Sequence, residues 1–337
     1  MQPLSLSGLR YCRGLRLVNL LAGRPADAAQ AAQGWDRRQA NLALVTGRRV
    51  FGGQALSLTL VVDAAPAPPA ADPVRGACGM PPAGQFCPAA LVTAYPLTSC
   101  LPLTWRLTLG LMARGVTPQV LATSPAAAVV ALPAGQLQAA LAVMPELVDL
   151  PAGAEPQCQQ VRVVEVAPGQ DPPRHCQAPE TIAVFREDPI RTYGLAATPH
   201  LTWLTAAAPL ADLDFARGLA ALAEAPKPAH LQVTMAEGRL ELCACLGRDE
   251  AGHLLRALAG AGLQLCEPPQ EATLIHLQGP HFGDRHGIAS AALMALAEAG
   301  ALPLGLAGVV HSLFMAVPPA QAAAVLTALG RRFCAPS

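Results

Sequence analysis

Gly283, Asp284, Arg285, His286 and Gly287 stand together in a chain that otherwise carries little charge. A carboxylate, a guanidinium, an imidazole and two glycines in one run suit recognition of a small charged molecule. Backbone N–H groups exposed at a helix start carry partial positive charge and favour a carboxylate. Gly287 lets the backbone approach a ligand closely, Gly283 frees the preceding turn, and Asp284 offers a partner for an ammonium group. Asp284 serves equally well as a helix cap, and Arg285 and His286 equally well as solvated loop residues.

The flanking pattern says which elements must hold this run. Thr273–Leu277 reads as a strand, Gln278–His286 as a polar loop and the Ala/Leu-rich stretch from Gly287 to Gly300 as a helix. A second apolar run, Val309–Val317, and a closing helical pattern, Gln321–Phe333, complete the segment. Strand, loop, helix, strand, strand, helix is the order of a ferredoxin-like α+β sandwich with an antiparallel sheet.

A period of roughly 65 to 70 residues repeats this order, the kind of internal repeat that changes a fold assignment. His200–Cys266 contains strands at Leu201–Ala206, His230–Met235 and Arg239–Leu246, with helices at Asp212–Ala225 and Asp249–Ala261. Its strand-to-helix loop, Ala207–Asp212, lacks glycine, so Asp212 reads as a cap. Ala90–Leu150 is a further candidate, with Thr98, Ser99 and Cys100 in the loop position, where a serine/threonine turn explains them as well as ligand binding does. The first 63 residues show strands at Leu15–Leu20 and Ala55–Val62 and a helix within Ala26–Asn41, which fits a degenerate fourth copy. The resulting division is 1–63, an α/β segment; 64–89, a Pro-rich linker; 90–150, a candidate further copy. It continues with 151–189, a strand plus Pro-rich connector; 190–268; and 269–337.

Hydrophobic residues make up 52% of the 337 residues and charged residues 14%, against about 25% charged in ordinary globular proteins. Lys+Arg and Asp+Glu are both 23, so the net charge is zero. No basic field attracts nucleic acid. Every apolar stretch is broken before about 18 residues, which argues against a membrane span, and the N-terminus lacks a signal-peptide layout. The expected location is the cytoplasm, with the ten cysteines reduced. So apolar a chain has too little polar surface to cover itself, which favours a homo-oligomer or association with a partner enzyme.

Cys243 and Cys245 lie two apart on an expected strand and share a face; they read as buried thiols, since Cys-x-Cys alone is too few ligands for zinc. No Cys-x2-Cys pair and no His-Glu-x-x-His appears, so no metal is expected. Phosphate-binding loops of the Gly-x4-Gly-Lys type and Gly-x-Gly-x-x-Gly after a strand are also missing, and no cofactor is implied.

The wording of the last segment resembles the paired ACT domains of the regulatory part of aspartate kinases. Leu277-Gln278-Gly279-Pro280-His281 stands at the family's Val-Gly-x-Gly-Met strand end. Arg285-His286-Gly287-Ile288 stands at its His-Pro-Gly-Val-type loop, and Ala295-Leu296-Ala297-Glu298-Ala299-Gly300 matches its helix. Leu326-Thr327-Ala328-Leu329-Gly330-Arg331-Arg332-Phe333 is similar to its Ala-Leu-His-x-x-Phe ending. With the segment before it, the resemblance covers about Ile190 to Phe333. It implies tandem ferredoxin-like βαββαβ units and an amino acid bound where two units meet. The implied binding set is Phe282, Gly283, Asp284, Arg285, His286, Gly287, Ile288 and Leu302. Leu302 falls where the family has the Asn of Ile-Asn-Val; here the chain reads Ala301-Leu302-Pro303.

Aspartate kinases open with Lys-Phe-Gly-Gly, whose lysine contacts nucleotide phosphates. Val50-Phe51-Gly52-Gly53 carries valine at that position and starts about 50 residues in, leaving too little chain before the ACT-like units for a kinase domain. The expectation is therefore a regulatory protein without the kinase catalytic domain, and not an enzyme. A ligand-free assembly scaffold and a divergent aspartate-kinase-related enzyme remain the alternatives.

Overall fold

Short runs rich in Val, Leu and Ala form strands and the Ala/Leu-rich runs between them form helices, as their periodicities require. The computed structural model describes residues 4–36, 41–50, 52–63, 86–96, 100–151, 155–159, 189–213, 228–279, 282 and 286–334. In chain order the elements begin with β1 (Leu4–Ala22), α1 (Pro25–Asp36), β2 (Leu42–Arg49), β3 (Leu56–Asp63), β4 (Cys87–Pro96), α2 (Cys100–Met112), β5 (Val120–Thr123) and β6 (Ala128–Pro133). Next come α3 (Leu137–Leu147), β7 (Val148–Asp149), β8 (Gln157–Gln159), β9 (Ile190–Arg191), β10 (Gly194–Pro209), β11 (His230–Ala236), β12 (Arg239–Gly247), α4 (Arg248–Gly260) and β13 (Gln264–Leu265). The last are β14 (Gln270–Gln278), α5 (Ile288–Glu298), β15 (Gly305–Val309), β16 (Ser312–Val317), α6 (Pro319–Gly330) and β17 (Phe333–Cys334).

The chain forms two compact units, each built from three separate stretches. The first holds Met1–Leu15, Cys87–Gln159 and Thr198–Leu274; the second holds Arg16–Phe86, Gln160–Ala197 and Ile275–Ser337. The α+β expectation holds in both, with mostly antiparallel pairing.

In the first unit the strands run β13-β10-β12-β11-β5-β6-β4-β1. The β11–β12 hairpin closes on Glu237 (φ 53) and Gly238 (φ 72), with Ala236 opposite Arg239. Two positive φ values in a two-residue turn match the right-handed twist of the strands. Leu103 and Leu107 of α2, Leu137 and Met144 of α3, and Leu254 and Leu258 of α4 join one core with Val130, Val233 and Leu242 from the strands.

In the second unit the strands run β1-β3-β2-β15-β16-β14. Its core joins Val18, Leu20, Leu58 and Leu60 with Ile275, Leu277, Leu306 and Met315. Helices α1 and α5 pack on one another. Asp36 lies beside Gly287 and Gln33 donates to Met294 Sδ, so the two helices run antiparallel. Besides Trp35, Leu293 and Leu296, the buried residues are mostly small: Ala28, Ala29, Ala31 and Ala32 on α1, and Ser290, Ala291, Ala292 and Ala295 on α5. Small residues bring helix axes close, which sets the start of α5 against the end of α1.

In each unit a strand from one stretch of the chain pairs antiparallel with a strand distant in sequence. These pairs are β5 with β11 and β2 with β15. Helices α4 and α5 stop in the same way. Gly262 (φ 88) and Gly300 (φ 60) follow their last turns, and Leu263 N and Ala301 N reach back to Leu258 O and Leu296 O at 2.9 Å. This glycine-terminated six-to-one bond is a sequence-encoded helix stop.

Some expectations shift. The helix expected at Gly135–Val143 is a 3-10 turn, Ala134–Gln136, followed by α3. The strand expected at Leu15–Leu20 starts at Leu4. β2 was not expected at all; it forms because it has partners on both sides, β3 and β15. Residues 214–225 of the expected helix and most of the 64–89 linker and of the expected strand plus Pro-rich connector at 151–189 lie outside the described residues. Among the described residues no helix is long and apolar enough to cross a membrane.

Candidate functional site in the second unit

The start of α5 lies against the first residues of β2, and a small cavity lies between them. Leu42, Ala43 and Val45 line it from β2; Phe282, Gly287, Ile288 and Ala289 from the loop and first helical turn; Gly308, Val310, Ser312 and Leu313 from the β15–β16 hairpin. Its free volume is about 20 Å³, room for one water molecule. A second void of about 10 Å³ shares Val45, Ala289 and Leu313 and continues along α5 past Ala292, Leu293 and Leu296.

Gly287 precedes α5 with φ 89, a conformation that side chains of L residues resist. A Cβ there would lie 2.8 Å from Asp36 Oδ1, so glycine is required twice over. His286 Nδ1 stands 2.6 Å from the same Asp36 Oδ1, with the two side chains 10% and 8% exposed. The carboxylate only accepts, so Nδ1 carries the proton and donates. This charge-assisted bond ties the loop before α5 to the last residue of α1.

Val310, at φ 52 in the β15–β16 turn, is a β-branched residue in the left-handed region, a costly conformation held by its surroundings. Ser312 contacts His276 Nε2 at 3.1 Å, and the imidazole stacks on Phe314 at 4.3 Å between centroids. Burial holds the His276 pKa below its usual value. The Phe282 ring is buried, close to Gly279 and 6.2 Å from the Phe333 ring.

The structure therefore gathers Phe282, Gly287 and Ile288 around the cavity and places His286 beside it on Asp36. Gly283, Asp284 and Arg285 lie outside the described residues. Leu302 does not line the cavity. It follows the far end of α5, about 16 Å along the helix from Gly287 at 1.5 Å per residue, and its N–H donates to Gln321 Oε1 at 3.2 Å. Asp36, the β2 residues and the hairpin residues were missed by sequence reasoning. An unread strand in Leu42–Arg49 was the signal that could have led to them.

Elsewhere, Cys243 and Cys245 are buried, and burial pushes the Cys245 thiol up to about 12. Among the described residues no group of three His, Cys, Asp or Glu side chains is placed to hold a metal ion.

No family model matches the sequence, and no curated protein matches it. Solved structures do. An aspartate kinase from Synechocystis is 15% identical, with a TM-score of 0.69 over 97% of this chain and 55% of that chain. The ligand-free regulatory subunit of aspartate kinase from Thermus thermophilus is 16% identical over 43% of this chain and 99% of that one, at a TM-score of 0.34. The corresponding subunit from Thermus flavus is 18% identical over 42% of this chain and 97% of that one, at 0.36. The last two are too distant to carry an argument. The first corrects the expectation that this chain is not an enzyme, because the fold of 97% of it recurs inside an enzyme. This chain spans about half the length of that kinase, and over nearly its whole length it is similar in fold to part of an aspartate kinase.

Proposed function

We propose that this chain is a small-molecule-responsive regulatory region of aspartate kinase type, and that it binds an amino acid between β2 and the start of α5. On this reading the segments are ACT-like ferredoxin-like units: 190–268, 269–337, 90–150 and a further one within 1–63. They associate in pairs through β2–β15 and β5–β11. The observation that carries the proposal is the cavity at the β2–β15 pair, lined by Phe282, Gly287 and Ile288, residues of the loop that suits ligand recognition. Gly283, Asp284 and Arg285 complete the proposed binding set. A ligand held across a pair of segments favours one arrangement of that pair. The difference in affinity between arrangements then couples it to an enzyme's activity or to assembly. The partner would be a second copy or an associated kinase in the cytoplasm.

One observation favours the ligand-free scaffold as second reading: the cavity holds no more than a water molecule. A thermal-shift screen of the full chain against the twenty amino acids, with ATP and aspartate in parallel, separates the two. Binding to the native state raises the melting temperature by mass action. Gly308→Ala is the control, since its Cβ would sit 3.2 Å from Leu313 Cδ1 and 3.7 Å from Val45 Cβ and fill the cavity. A shift with an amino acid that Gly308→Ala abolishes supports the sensor; no shift with any of them supports the scaffold. An assay for ATP-dependent aspartate phosphorylation tests catalysis by the chain directly.

A further inference from the structure

We draw no further inference here: the strongest candidate, the exposed and uncharged face of α6 formed by Ala320, Ala323, Ala324 and Thr327, is a stripe of small residues, and nothing in the structure shows what covers it.

Discussion

Gly287→Ala tests the geometry at the start of α5. At φ 89 an alanine costs about 1–2 kcal/mol for the left-handed backbone alone. Its Cβ would also meet Asp36 Oδ1 at 2.8 Å, too close for the carboxylate to stay where it meets His286. A hydrogen bond to a charged group contributes about 1.5–3 kcal/mol, so the whole cost is about 2.5–5 kcal/mol. The contributions separate in a double-mutant cycle. In an Asp36→Ala background only the backbone cost of Gly287→Ala should remain, giving a coupling of about 1.5–3 kcal/mol. Because the chain has two units, global unfolding need not be two-state, and hydrogen exchange of the α5 amides reads the relevant stability locally. Equal costs of Gly287→Ala in both backgrounds would refute the argument that Asp36 is what the glycine makes room for.

Lowering the pH should destabilise the second unit through His276. Its folded pKa lies below the unfolded value, so below about pH 6.5 the unfolded chain binds the extra proton. The stabilisation is present above that pH and is lost as pH falls towards the folded pKa; His276→Asn should flatten the drop in melting temperature between neutral and mildly acidic pH. Cys245, with its thiol pushed up to about 12, should resist iodoacetamide in the native protein at mildly alkaline pH while the exposed Cys158 and Cys334 react, as peptide mass mapping will show. Gly47→Ala places a Cβ 2.5 Å from Leu58 Cδ2 and 3.2 Å from Leu306 Cγ; overpacking of this kind costs about 1–3 kcal/mol, measurable by urea unfolding, and no loss would mean that β2 and β15 are more loosely packed than described.

Much of the second unit's local structure was legible. The helix after Gly287, its stop at Gly300 and the strands on either side follow from hydrophobic period and glycine placement, which act within a few residues. The loop run from Phe282 to Ile288 stood out because polar and glycine residues interrupt an apolar sequence. Leu302 was carried over from a resemblance. Eleven helical residues separate it from the cavity end of α5, a distance that motif wording does not convey.

What the sequence by itself determined are most of the elements, their α+β order and the residue types at the start of α5, because period, capping and turn chemistry are local. Only the tertiary structure decided what faces that helix start. Asp36 meets His286 across 250 residues, and β2, with Val309 of β15 opposite its Leu44, supplies one wall of the cavity. Neither contact leaves a local pattern. Each exists because antiparallel register and the close packing of two alanine-rich helices bring distant segments into contact, and that choice is made by burial of the whole core rather than by any single segment.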